Sequence, residues 1–142
     1  MTDYEARLGS TRARSLLDAA TGGTVLVVGD AMLDRYLEGS VDRISPEAPV
    51  PVVHVANERE ALGGAANVAA GVVALGAQCR IVATVGDDRS GQAVRQLLTA
   101  LGVPVAVLVT DPTRPTTEKT RILAAMSFHD KPRSANMATL AS

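Results

Sequence analysis

Apolar, β-branched runs alternate along the chain with small-residue helical patterns. The runs at residues 24–28, 79–85 and 105–109 predict three strands that are buried on both faces. Helices are expected from the Gly63-Gly64 pair to about residue 75 and over residues 90–101, the second with Ser90 as its N-cap. This alternation predicts an α/β layered fold with a mostly parallel central sheet.

An insert separates the first strand from the first crossover helix. Residues 35–41 and 50–56 can each form a strand, and three prolines lie between and within them. Because proline cannot donate to a strand ladder, the insert is expected at a sheet edge or in a small separate sheet. Residues 117–123 alternate like an exposed strand, and residues 3–20 are typical of a short amphipathic helix.

The composition of the chain excludes several classes of protein and of site. The chain has 142 residues, a net charge of −1 and 46% apolar residues, which suits one folded domain with no general affinity for nucleic acid or membranes. Its single cysteine, Cys79, excludes an internal disulfide framework and four-cysteine zinc sites, and we expect it in the core. No apolar run reaches transmembrane length, so a cytoplasmic location is expected.

Two glycines precede the first predicted helix. Gly63 and Gly64 allow the backbone to approach a ligand closely, and the free N–H groups of a helix start suit anions and hydroxyls. Asn67, one turn into that helix, offers both a donor and an acceptor. The alternative is a tightly packed helix start that binds nothing.

Two carboxylates follow the first strand. Ligands of open parallel sheets bind beyond the carboxyl ends of the strands, where Asp30 and Asp34 are expected. They could accept hydrogen bonds from sugar hydroxyls or lie near a metal, and the alternative is an ordinary aspartate turn or helix cap. Neither histidine has partners at metal-ligand spacing, so no metal site is predicted.

Residues 24–123 resemble the N-terminal part of the ribokinase (PfkB) family of carbohydrate kinases. The resemblance rests on the glycine-rich signature, which this sequence meets at Gly63, Gly64, Ala65, Asn67, Ala69, Gly76 and Gly86. The segments VVGDAMLDRY, RISPEAPVPVV, GGAANVA and TTEKTRIL are most similar to family members that act on D-glycero-β-D-manno-heptose 7-phosphate. The resemblance implies a ribokinase-like three-layer fold, here incomplete, with a small β-lid.

The resemblance also implies roles for individual residues. Asp34 matches the acceptor for sugar hydroxyls, with Asp30 as a second candidate, while Gly63, Gly64 and Asn67 match the sugar-binding turn. The lid corresponds to residues of about 35–56 together with 117–123. Within the second lid segment, Lys119 and Arg121 could reach a sugar phosphate, or could lie on a solvated strand face.

The family reaction uses ATP and Mg²⁺ to phosphorylate a sugar hydroxyl. The resemblance places the catalytic base in a Gly-Ala-Gly-Asp motif, which these 142 residues lack, so no catalytic residue is assigned. The chain alone is therefore expected to be inactive and to bind no nucleotide tightly. The alternative function is that of a non-catalytic fragment that binds a phosphorylated sugar or forms a homodimer through the lid.

Three segments are expected. Residues 1–23 carry the N-terminal helix, and residues 24–123 form the N-terminal part of a kinase domain. Residues 124–142 lack β-branched runs and glycine punctuation, which predicts either a disordered tail or a weak helix.

Overall fold

The strands divide into two three-stranded sheets in the computed structural model, which describes residues 9–126. One sheet has the strand order β1-β4-β5 and the other, here called the lid sheet, has the order β3-β2-β6. The elements in chain order are α1 (Ser10–Ala20), β1 (Thr24–Val28), β2 (Ala31–Ile44), β3 (Pro51–Gly64), α2 (Ala65–Ala74), β4 (Gln78–Gly86), α3 (Arg89–Ala100), β5 (Leu108–Asp111) and β6 (Thr117–Met126).

The first sheet is wholly parallel and carries the core. Val27 lies beside Ile81 and Ala83 lies beside Leu108 in the strand register. These side chains pack with Val94 and Leu98 of α3 and with small residues of α2, because alternate residues of each strand point to the same face. Cys79 belongs to this core, as predicted, and burial raises the pKa of its thiol. The predicted α/β fold with a mostly parallel sheet is confirmed.

The opposite face of this sheet is exposed, which corrects the prediction that its strands are buried on both faces. Leu26 is 59% exposed, Val28 69% and Val109 55%. The helices α2 and α3 both cover the face that carries Val27 and Ile81. The helix α1 has no buried residue. An uncovered patch of branched apolar side chains is a surface prone to association.

We expect the purified chain to self-associate through this patch. Replacing Leu26 and Val28 together by threonine should shift the chain toward monomer, since threonine is β-branched, which suits a strand, and removes apolar surface. Sedimentation velocity at several protein concentrations measures the change. A wild-type chain that remains monomeric throughout the concentration range would contradict the prediction.

The insert forms a small separate sheet, one of the two arrangements that its prolines predict; Pro51 begins β3, and Pro46 and Pro49 lie in the loop before it. In the lid sheet, β2 pairs antiparallel with β3 and parallel with β6. Both β2 and β3 extend to 14 residues, longer than predicted, because the hairpin pairing continues to Gly64. β6 continues to Met126, so the predicted boundary at residue 124 falls inside a strand. Residues 127–142 of the predicted tail lie outside the described residues.

Two other boundaries differ from the sequence prediction. The third strand of the parallel sheet is Leu108–Asp111 rather than 105–109, because the Leu108 amide donates to the Val105 carbonyl and closes a turn there. The first helix begins at Ser10 after Gly9, and residues 3–8 of the predicted span lie outside the described part. No helix within residues 9–126 is long and apolar enough to cross a membrane.

Candidate functional site

The lid sheet presents two chemically different faces. Leu33 of β2 is fully buried in the core, so Asp34, the next residue, points to the opposite face. The register places Asp34 beside Lys119 and Tyr36 beside Arg121. The same face therefore carries most of the polar side chains that the sequence assigns to sugar binding.

Asp34 and Arg121 form an ion pair on this face. Arg121 Nη1 donates to Asp34 Oδ1 at 2.8 Å and to the Tyr36 hydroxyl at 3.3 Å. The Asp34 side chain is 17% exposed and the Arg121 side chain 36% exposed, so both remain accessible to a ligand. In residues 9–126 no protein group donates to Asp34 Oδ2, which leaves one carboxylate oxygen to accept from a hydroxyl.

The two glycines lie against this carboxylate and the loop after β1. A Cβ on Gly63 would lie 3.1 Å from Asp34 Oδ2 and 2.7 Å from Met32 Cγ. Gly64 has a φ of +56°, and a Cβ there would meet the Asp30 carbonyl oxygen at 2.5 Å. The Ala65 amide donates to that same carbonyl at 2.9 Å, which fixes the start of α2 beside the end of β1. Only glycine fits this close approach.

The remaining candidate residues lie around this centre. The backbone carbonyl of Asp30 accepts the bond from the Ala65 amide, and Asp30 itself is exposed. Lys119 shares the face of Asp34 and is exposed. Asn67 is exposed one turn into α2 and lines a neighbouring cavity of about 340 Å³, mostly with apolar residues such as Leu62 and Leu97. The structure thus brings Asp34, Gly63, Gly64 and Arg121 together, and places Asn67 beside a separate cavity.

The other face of the lid sheet is acidic and connects it to the α/β body. Arg35 lies 3.0 Å from Glu58, 3.3 Å from Glu60 and 3.1 Å from Glu118. The Ser90 hydroxyl donates to Glu118 at 2.7 Å, and this bond is the main cause that lowers the pKa of Glu118. These contacts fix the start of α3 against the sheet that carries Asp34.

Asp88, not Ser90, caps α3. Asp88 Oδ1 accepts from the Gly91 amide at 2.7 Å and from the Thr116 hydroxyl at 2.8 Å, and Oδ2 accepts from the Thr116 amide at 2.7 Å. The Thr116 backbone bond and then the Gly91 bond hold the pKa of Asp88 below its ordinary value. One carboxylate therefore joins α3 to the residue that precedes β6.

We expect Asp88→Asn to lower the free energy of unfolding by about 1–2 kcal/mol at neutral pH, because asparagine can keep the cap bond to Gly91 but cannot accept with both side-chain atoms, which leaves a donor of Thr116 without its partner. The side-chain NH2 group of asparagine would replace one of the two oxygens. In place of Oδ2 it would face the Thr116 N–H, and in place of Oδ1 it would lose the bonds from Gly91 and from the Thr116 hydroxyl. Because the folded pKa is depressed, the wild-type contribution is fully present above the unfolded pKa of about 3.9 and is lost as pH falls through the folded value.

Urea unfolding followed by circular dichroism from neutral to acidic pH measures this effect. Asp87→Asn is the matched control, because Asp87 is the adjacent exposed carboxylate. Equal stability of the Asp88→Asn and Asp87→Asn chains at neutral pH would show that the bonds from Asp88 to Thr116 are dispensable.

Sequence reasoning did not assign Tyr36, Arg59 or Thr116. The Arg59 guanidinium lies over the Tyr36 ring at 4.0 Å, and the Thr116 hydroxyl accepts from the Gly86 amide at 2.8 Å. The alternation of β2 could have indicated Tyr36, since it follows Asp34 by two residues. The pairing of Arg59 with Tyr36 depends on a hairpin register that no local pattern reveals.

Within residues 9–126 there is no group of three or more histidine, cysteine, aspartate or glutamate side chains that could hold a metal ion. We therefore assign no described residue to magnesium and derive no step that passes through the ion.

Comparison with known proteins identifies the family. A profile described as pfkB family carbohydrate kinase matches residues 23–139. The chain is 54% identical over 106 residues to the bifunctional protein HldE of Caulobacter vibrioides, covering 75% of this chain and 22% of that protein. It is 57% identical over 99 residues to the D-beta-D-heptose 7-phosphate kinase of Bordetella bronchiseptica, covering 70% of this chain and 31% of that protein.

A solved structure agrees with these matches. A carbohydrate kinase from Agrobacterium tumefaciens superposes with a TM-score of 0.59 at 29% identity, covering 72% of this chain and 32% of that one. The chain thus spans between about a fifth and a third of the proteins that it matches. The glycine-rich turn, the parallel sheet and the strand insert all lie within the matched segment, and the chain belongs to the pfkB family of carbohydrate kinases.

Proposed function

We propose that this chain carries the sugar-binding part of a kinase that phosphorylates D-glycero-β-D-manno-heptose 7-phosphate at its anomeric hydroxyl. The observation that carries the proposal is the Asp34–Arg121 pair above Gly63. It offers one carboxylate oxygen to a sugar hydroxyl beside a cation that can bind a phosphate. Asp30, Gly64, Asn67 and Lys119 complete the proposed set of sugar-binding residues.

The substrate assignment draws on the relatives. The matched Bordetella protein is named a heptose 7-phosphate kinase, and its identity to this chain is 57% over 99 residues. Two of the segments that resemble such kinases, VVGDAMLDRY and TTEKTRIL, contain Asp34, Tyr36, Lys119 and Arg121. These four residues lie on one face of the lid sheet, which supports a role in selecting the sugar.

In this proposal, the described residues bind the sugar, and groups outside this sequence carry out phosphoryl transfer. The side chains of this chain would orient the sugar and hold its phosphate. ATP would supply the transferred phosphoryl group, with Mg²⁺ neutralising its charge, and a base would accept the hydroxyl proton. Since the 142 residues lack the Gly-Ala-Gly-Asp motif, the nucleotide site and the base are proposed to come from outside this sequence.

Purified chain should therefore bind heptose 7-phosphate but show no ATP-dependent phosphorylation of it. Calorimetric titration with heptose 7-phosphate, ribose and fructose tests the first point, and a coupled ADP-release assay with a no-protein control tests the second. Tighter binding of ribose or fructose would contradict the proposed substrate. Turnover above the control would contradict the proposed division of labour.

The alternative, a non-catalytic chain that binds a phosphorylated sugar or pairs through the lid, predicts the same binding. The strands β3 and β6 are the two edges of the lid sheet and would supply the pairing surface. Sugar binding with a dimer that survives loss of the Leu26 and Val28 patch would favour this alternative.

A further inference from the structure

Three side chains form one row across the lid sheet. The register aligns Arg59 of β3, Tyr36 of β2 and Arg121 of β6 at the same level. The Arg59 guanidinium carbon lies 4.0 Å from the centre of the Tyr36 ring and the Arg121 carbon 5.1 Å from it. Cation–π contact with one ring therefore holds two guanidinium groups on either side of the same tyrosine.

The charges in this row are not balanced. Arg121 is paired with Asp34, whereas no ion pair within residues 9–126 uses Arg59 or Lys119. A second carboxylate of this face, Glu38, lies one row farther along β2 and accepts from Asn57. By contrast, Arg35 on the opposite face meets three glutamates. Around Tyr36 this face thus carries an excess of positive charge, whereas the cluster around Arg35 on the opposite face carries an excess of negative charge.

We infer that the row of Arg59, Tyr36 and Arg121 is an anion site that binds the phosphate of the sugar, with Arg59 selecting phosphorylated over free sugars. This inference rests on the proposed function and assigns a residue beyond it. One guanidinium group can donate two parallel N–H bonds to two oxygens of a phosphate. Arg59 and Arg121 each retain free N–H donors for such bonds. A bound dianion would also relieve the repulsion between the two neighbouring cations.

The position of the row suits a monosaccharide. Tyr36 follows Asp34 by two residues, which separates the row from the hydroxyl acceptor by about 6.6 Å along the strand. A single sugar whose hydroxyls meet Asp34 Oδ2 can therefore extend its terminal phosphate to the row. The exposed Lys119 lies one row back, beside Asp34, and adds positive charge at that level of the sheet.

Tyr36 fluorescence tests the inference directly. The chain has two tyrosines and no tryptophan, so Tyr4→Phe leaves Tyr36 as the only emitter near 300 nm. In this background we would titrate heptose 7-phosphate, the unphosphorylated heptose and inorganic phosphate against the parent, Arg59→Gln and Arg80→Gln chains. Arg80 is an exposed arginine on β4 and serves as the matched control.

Arg59→Gln should weaken heptose 7-phosphate binding at least about tenfold, as expected for one charge-assisted hydrogen bond, and leave the unphosphorylated heptose unchanged. Arg80→Gln should behave like the parent. Unchanged heptose 7-phosphate affinity in Arg59→Gln would overturn the anion site and leave the proposed function standing. If inorganic phosphate saturates the signal through Arg59 while neither sugar does, the anion site stands and the proposed sugar is wrong. No response to phosphate or to either sugar overturns the anion site.

Discussion

The Asp34→Ala chain should bind heptose 7-phosphate at least about tenfold more weakly than the wild-type chain, the loss expected when a charge-assisted hydrogen bond is removed. Asp34 Oδ2 is the oxygen available to a sugar hydroxyl, and Oδ1 orients Arg121 through a 2.8 Å bond. The substitution therefore removes the proposed contact to a sugar hydroxyl. It also frees Arg121, which supplies the proposed contact to the phosphate. Calorimetric titration of both chains measures the loss.

Asp42→Ala is the control for this experiment. Asp42 is an exposed carboxylate on the same strand, at the second register shift of β2 and eight residues from Asp34, so its removal changes the net charge equally without touching the site. Circular dichroism of each variant establishes that it is folded. Equal affinity of folded Asp34→Ala and wild-type chains would show that the carboxylate does not contact the sugar, and that the glycine turn has to be reconsidered as a purely structural helix start.

The elements that local chemistry dictates could be predicted from the sequence. β-branched runs identified β1 and β4, and Gly76 at a φ of +82° ends the segment of α2 as glycine would be expected to. The prolines of the insert predicted either a sheet edge or a small separate sheet, and the insert forms the separate sheet. Burial could not be predicted in the same way, because Leu26 and Val28 are apolar whether or not anything covers them. Their exposure depends on which elements pack on that face.

The residues of the candidate site also divide into those that local sequence predicts and those that depend on the packing of distant segments. Asp34, Gly63 and Gly64 could be singled out because each follows a strand end or precedes a helix, and both positions are visible in the chain order. The pairing of Arg121 with Asp34 joins residues 87 positions apart, and the stacking of Arg59 on Tyr36 requires the register of the hairpin. Alternation predicts which residues share a face of a strand, but not which residue lies beside them on the next strand.

The Gly64→Val chain should lose at least about 3 kcal/mol of folding free energy, since a branched residue at positive φ is strained and a clash adds to that strain. Gly64 has a φ of +56° and a ψ of −134°, and its Cβ would lie 2.5 Å from the Asp30 carbonyl oxygen. That carbonyl accepts from the Ala65 amide, so moving it away would also break the bond that starts α2. For a domain whose total stability is about 5–15 kcal/mol, much of the chain would become unfolded under mild denaturing conditions.

Gly71→Ala provides a control that should move in the opposite direction. Gly71 lies inside α2, and a Cβ there would meet nothing within 4 Å. Alanine in a helix interior is favoured over glycine by about 0.5–1 kcal/mol, so this chain should be slightly more stable than the wild type. Urea midpoints of the three chains measure both effects. A Gly64→Val chain with the wild-type midpoint would mean that the turn tolerates a side chain, and the close approach of backbone to ligand at Gly63-Gly64 would lose its physical basis.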